Sequence, residues 1–229
     1  FTLFVGDTEV TSGVQNSFTP GTYTVSETGD AGYTATISGD CAENGEITLA
    51  ADDVKTCTIT NDDIAPTLTL VKTVVNDDGG TLQVSNFPLF INGNSATSET
   101  PNTLSANVFY TATETTQTGY AASNWGGDCN ANGEITLQPG EVKTCTITND
   151  DIQPKLTVTK VVNNNHGGTA TESSFPLFVD ATQVTSGVQN GFDAGTYTAS
   201  ETQQTGYTQT NIICDEQQTS SVTLAVGDV

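Results

Sequence analysis

The chain has 229 residues, 27 acidic against five basic, with one histidine, one tryptophan and no methionine, for a net charge of −22. All five basic residues are lysines, so no arginine fork is present to hold phosphate, and a surface this negative repels nucleic acid and anionic membranes while attracting cations. No apolar run reaches the length of a membrane span, and the thin set of nucleophiles and bases argues against an enzyme.

In chain order the predicted elements recur. FTLF (1–4), YTVSETGDAGY (23–33), Cys41, Cys57 and Asn61-Asp62-Asp63 come first. The second copy brings predicted strands at 67–75, 87–92, 108–114, 120–123, 134–138 and 142–149. They are short runs rich in Thr, Val, Ile and aromatics, alternating with period two. The turn signals NDDGG (76–80), NGN (92–94), NANG (130–133) and QPG (138–140) separate them. Cys41 and Cys129 lie 88 positions apart, as do Cys57 and Cys145, Lys72 and Lys160, and Phe87-Pro88-Leu89-Phe90 and Phe175-Pro176-Leu177-Phe178. No stretch reads as a helix. The expectation is an all-β tandem array of antiparallel sandwich modules: 1–64 without its first strand, 65–152 complete, and 153–229 without its last strand.

Residues two apart on a strand share a face, so Leu68, Leu70, Lys72 and Val74 point inward together. Tyr110, Ala112 and Glu114 share a face on the middle strand, as do Cys145, Ile147 and Asn149 on the last. A lysine, a glutamate and an asparagine are thus expected in one apolar interior. Burial disfavours charge, which lowers the lysine pKa and raises that of the glutamate. The bland alternative is a hydrogen-bonded cluster that never reacts.

YTVSETGDAGY, YTATETTQTGY (110–120) and YTASETQQTGY (197–207) resemble the Tyr-x-x-x-Glu-Thr-x-x-x-Gly-Tyr signature of prealbumin-like domains, the Cna B-type and SpaA-type modules of bacterial surface proteins and pili. The resemblance implies that Lys72 attacks Asn149 with Glu114 assisting, giving an intramolecular isopeptide bond. Glu27–Asn61 and Lys160–Glu201 each lack the third member. It also implies that first and last strands run side by side in the same direction. The loop 76–80 and the tail of the last strand then meet at one module junction. Asp77, Asp78, Asn149, Asp150 and Asp151 are expected to gather there, with Asp62 and Asp63 at the junction before, as a hard-oxygen site for Ca²⁺. The next module's Ala51-Asp52-Asp53 or Gly140-Glu141 turn is a further source of oxygens. The linker NDDIAP (61–66) is similar to the Asp-x-Ala-Pro junctions of cadherins, where calcium stiffens tandem sandwiches. The alternative is that these acidic motifs are ordinary turns, which Asn, Asp and Gly favour. The third copy reads Asn163-Asn164-Asn165-His166 in that loop, so its site is expected to be weaker, with His166 a loop residue.

The sixteen-residue offset pairs Cys41 with Cys57 and Cys129 with Cys145, and Cys214 is expected to find its partner beyond Val229. Without C-x-x-C spacing a zinc site is disfavoured. Disulfides place the protein outside the reducing cytosol, at a cell surface. The functional expectation is a stiff extracellular stalk or fibre whose partners are neighbouring modules and laterally associated copies. An adhesin recognising a glycan or surface protein is the alternative. Trp125 could stack on a sugar, yet Ile37 and Ile212 fill that slot in the other copies, which favours a core or rim role.

Overall fold

The computed structural model describes residues 1–214 and 216–229. In the first unit β1 (Leu3–Val5), β2 (Thr8–Val10), β3 (Gly21–Glu27) and β5 (Glu46–Leu49) form a sheet in the order β2-β1-β3-β5. Opposite it, β4 (Tyr33–Gly39) pairs with β6 (Cys57–Asp63). The middle unit is fuller. Its first sheet has the order β10-β7-β15-β12, built from β7 (Thr67–Val75), β10 (Pro101–Thr103), β12 (Tyr120–Ala122) and β15 (Val142–Asp151), with β13 (Gly126–Gly127) also on β15. Its second sheet has the order β14-β11-β8-β9, from β8 (Leu89–Ile91), β9 (Asn94–Ala96), β11 (Phe109–Glu114) and β14 (Glu134–Thr136). The third unit repeats this with β16 (Lys155–Thr157) on β19 (Gln189–Gly191), and β17 (Leu177–Val179), β18 (Thr182–Val184), β20 (Gly195–Glu201) and β21 (Ser221–Leu224) in the order β18-β17-β20-β21.

β7 and β15 lie parallel and in register along all nine residues of β7, from Thr67 opposite Val142 to Val75 opposite Asp150. Among the described residues neither neighbour has such a pair. β6 has β4 on one side only, and β16 is paired over three residues where β7 is paired over nine. The core follows this difference. Leu68, Leu70, Ala112, Leu137 and Cys145 are completely inaccessible in the middle unit, packed with Leu89, Ile91, Tyr110 and Ile147 between the sheets. In the first unit only Cys41 and Ile47 of the apolar side chains are buried. Burying one Leu or Ile is worth about 1.5–3 kcal/mol, so the middle unit holds most of the hydrophobic stabilisation.

Several strands differ from the sequence expectation for local reasons. The strand expected from 87 begins at Leu89, because Pro88 has no N–H for a ladder and a one-turn 3₁₀ helix, η1 (Val84–Asn86), precedes it. A second such turn, η2 (Glu172–Ser174), sits 88 positions on; both are single 3₁₀ turns within an all-β fold, as expected. Each is closed by a side chain on its own first turn, with Gln83 N–H donating to Asn86 Oδ1 and Thr171 N–H to Ser174 Oγ. The NGN signal is a tight hairpin: Asn92 and Gly93 have φ of 48° and 80°, and β9 folds straight back on β8. β9, β10 and β13 were absent from the expectation because they are short polar edges with no apolar alternation.

Candidate functional site: a buried lysine cluster and two pinned junctions

The inward parity expected for β7, β11 and β15 is what the fold builds. Lys72 is 4% exposed and Asn149 1% exposed, and the side chain of Glu114 is almost wholly covered. Lys72 Nζ donates to Glu114 Oε2 at 2.6 Å and also to Asn149 Oδ1 in a very short contact. Burial pushes the Lys72 amine below its usual pKa, opposed in part by the hydrogen bond and charge of Glu114. Two polar atoms of the cluster, Glu114 Oε1 and Asn149 Nδ2, are buried without a hydrogen-bond partner.

One member of this cluster is missing from the sequence reading. The Lys72 ammonium lies 4.6 Å from the centre of the Phe87 ring, and Phe87 in turn meets Tyr120 edge to face. Cation–π attraction of this kind is worth about 2 kcal/mol or more when desolvated. The third unit repeats the arrangement, with Lys160 4.5 Å over Phe175 and 2.5 Å from Glu201 Oε2. The signal available in sequence is the repeated Phe-Pro-Leu-Phe element. The first unit has the complementary half: Asn61 Nδ2 donates to Glu27 Oε2 at 2.9 Å, and Asn61 Oδ1 is buried without a partner.

The acidic motifs divide differently from expectation. Asp151 continues the inward face of β15 and is 4% exposed. Its carboxylate accepts the backbone N–H groups of Asp78 and Gly80, so it fastens the 76–80 loop to the end of the last strand. Tyr120 completes the fastening: its hydroxyl donates to Asn76 Oδ1 and accepts from the Leu82 N–H. Asp77 and Asp150 are exposed beside Asp151, and one oxygen from each of the three lies within 4.8 Å of the others. Asn149 points into the lysine cluster and away from this group. Asp78 accepts from Gln153 Nε2, and its pKa is raised by burial, then by Asp77, Asp151 and Asp193. Asp62 and Asp63 are exposed at the end of β6, and among the described residues no comparable group of three forms around them. His166 stands in the loop of the third unit, as expected.

Both linkers are held by the same hydrogen bonds. Ile64 N–H donates to Gly32 O at 2.8 Å, Gly140 N–H to Ile64 O at 2.6 Å, and Thr67 N–H to Glu141 O at 2.8 Å. At the second junction Ile152, Gly227 and Lys155 make the equivalent bonds to Gly119, Ile152 and Asp228 at 2.9, 2.7 and 2.9 Å. Pro66 and Pro154 are completely buried within these junctions. Cys41–Cys57 and Cys129–Cys145 are disulfide-bonded, and each ties the last strand of its unit to the preceding loop. Trp125 is half-buried against the middle core, in the rim role expected of it.

With this geometry in place, comparison with known families is decisive. The SpaA_2 prealbumin-like fold domain matches three tandem segments, residues 4–59, 63–147 and 151–229. The chain belongs to this family. No curated protein and no solved structure matches it. The three prealbumin-like modules coincide with the three units above, and no helix among the described residues is long and apolar enough to cross a membrane.

Proposed function

We propose that the chain is a segment of a stiff extracellular stalk or fibre at a microbial surface, whose only chemistry is to cross-link itself. The observation that carries this reading is the Lys72–Glu114–Asn149 cluster, with Lys72 and Asn149 on two parallel neighbouring strands and Glu114 reaching them from the other sheet. Family membership and the two disulfides are in keeping with a surface or pilus role outside the cytosol. The cross-link balances as an amide exchange. Lys72, as the neutral amine favoured by burial, attacks Cγ of Asn149. Glu114 passes the proton released by Nζ to the departing Nδ2, and ammonia leaves. The product, an amide between Nζ and Cγ, also removes the unpartnered Asn149 Nδ2, a group whose burial costs about 1–3 kcal/mol.

A divalent cation, Ca²⁺ by the hardness of the oxygens, is the second element of the reading. Support comes from the two exposed carboxylates Asp77 and Asp150 beside Asp151, in a chain at −22. Both oxygens of Asp151 already accept N–H groups, so Asp77 and Asp150 would be the principal ligands.

Intact mass spectrometry of the chain tests the cross-link. The wild type should be one ammonia lighter than its sequence requires after the disulfides are counted, and Glu114→Ala should restore the full mass. A wild type at full mass would return the cluster to a structural ion pair.

A further inference from the structure

The two junctions share a contact that linker hydrogen bonds alone do not require. Gly32 is buried, and a Cβ built on it would stand 2.6 Å from Pro139 O and 2.9 Å from Pro139 Cβ in the next module. Gly119, its counterpart, would meet Val226 O at 2.6 Å and Val226 Cγ2 at 2.5 Å. On the opposing side, a Cβ on Gly140 would stand 3.0 Å from both Ala31 O and Gly32 Cα, and one on Gly227 would stand 3.0 Å from Gly119 Cα. Each junction is therefore a glycine-to-glycine backbone contact. The third copy of the socket supplies an internal comparison: Gly206 is exposed, with nothing within 4 Å of a built Cβ. The crowding comes from the neighbouring module and not from the fold of the socket's own module.

The turn that enters the socket is built the same way in all three modules. Ala50 N–H donates to Asp53 Oδ2, Gln138 N–H to Glu141 Oε2 and Ala225 N–H to Asp228 Oδ2, at 2.8, 2.8 and 2.7 Å. Its tip is left-handed in each, with φ of 67° at Asp52, 72° at Gly140 and 82° at Gly227. Only the first module puts a side chain there, and Asp52 is exposed.

We propose that this turn and the Gly32/Gly119 face form a module-docking interface gated by glycine. A prealbumin-like module with Gly at the turn tip locks to its predecessor at a fixed angle, and one with Asp there, as in the first module, is refused. The refusal is steric and electrostatic. The extra Cβ would stand 3.0 Å from Ala31 O and Gly32 Cα, so the two facing backbones must separate by a few tenths of an ångström. The carboxylate would also stand among the Ala31 carbonyl and Asp30, which already accepts the Gly32 N–H. The natural Asp52 turn shows that a left-handed aspartate is compatible with the turn itself, so Gly140→Asp separates docking from folding.

The test is the relative orientation of modules in the whole chain, read by residual dipolar couplings. In the wild type, modules one and two should report a single alignment tensor. Gly140→Asp should give the first module a tensor of its own, leaving modules two and three joined. Gly32→Ala should do the same, and its backbone lies outside the left-handed region that strains alanine. Gly29→Ala, at a position with open space around it, should change nothing. Chemical shifts of each module's core check that the variants fold. A shared tensor for modules one and two in both Gly140→Asp and Gly32→Ala overturns the proposal. This result does not depend on whether the Lys72–Asn149 bond forms.

Discussion

The carboxylate of Asp151, the last residue of β15, accepts the backbone N–H of Gly80 at 2.6 Å from across 71 residues of chain. The same carboxylate takes the Asp78 N–H, so one side chain satisfies the loop after the first strand and anchors it to the last. Asp151→Ala would leave these half-buried donors without their acceptor, at no more than about 1–3 kcal/mol for each. Asp77→Ala, at an exposed position, should stay within about 0.5 kcal/mol. Because three modules need not unfold as one, amide hydrogen exchange at Asp78 and Gly80 is the fitting measurement. Exchange should accelerate in Asp151→Ala alone; equal protection in the two variants would refute the anchor.

Period-two parity placed Lys72, Glu114 and Asn149 in one interior, and nothing more than alternating side chains was needed. The same parity carried two residues further reaches Asp151. Composition points the other way there, since Asn-Asp-Asp at a strand end looks like a solvated tail. Two backbone donors, the N–H groups of Asp78 and Gly80, from a loop 73 and 71 residues away decide the matter, and no local pattern encodes them. Phe87 is hidden for a related reason. Its repeated Phe-Pro-Leu-Phe setting announces a core aromatic, whereas its place over an ammonium depends on how the two sheets face each other. The junction glycines lie in turns where glycine is ordinary, so their crowding emerges only with the next module in place.

Removing the acyl partner exposes the titration of the lysine. In Asn149→Ala the Lys72 amine is free, still buried beside Glu114. Its folded-state pKa lies below the usual 10.5, so in the interval between the two values the unfolded chain holds the extra proton. Stability of the middle module should therefore rise with pH across that interval and be flat below it. Denaturant midpoints from neutral pH upward measure this. A midpoint that falls across the same interval would mean the amine is stabilised in its charged form, with the Phe87 ring and Glu114 outweighing burial.

The two disulfides enclose equal spans, sixteen residues apart in sequence, yet they sit in unequal cores. A loop of that size is worth about 3 kcal/mol in the chain-entropy description. In the middle module Cys145 is wholly buried among Leu68, Leu70 and Ile147, whereas Cys57 of the first module is half-buried. Reduction should therefore unfold the first module at a lower temperature than the second. Calorimetry with and without reductant should show one transition moving down well before another. Identical shifts in both would mean that the core difference has no energetic consequence.

At the second junction the carboxylates of Asp77, Asp150 and Asp151 stand close together, with Asp78 and Asp193 adding charge. The Asp78 pKa is raised, so in the pH interval just above 3.8 the folded chain holds a proton that the unfolded chain has lost. The local charge repulsion therefore grows as pH rises through that interval, and the proposed divalent cation would have its strongest purchase at neutral pH. Ca²⁺ titration followed by amide shifts should saturate at residues 76–80 and 150–153, with a dissociation constant on the order of 10⁻⁴–10⁻³ M. Asp77→Asn with Asp150→Asn should abolish that saturation and leave the Asp151 anchor to Gly80 in place. Shifts that grow linearly with calcium, or that spread evenly over the acidic surface, would assign the cluster to general screening and leave the glycine contacts as the source of stiffness.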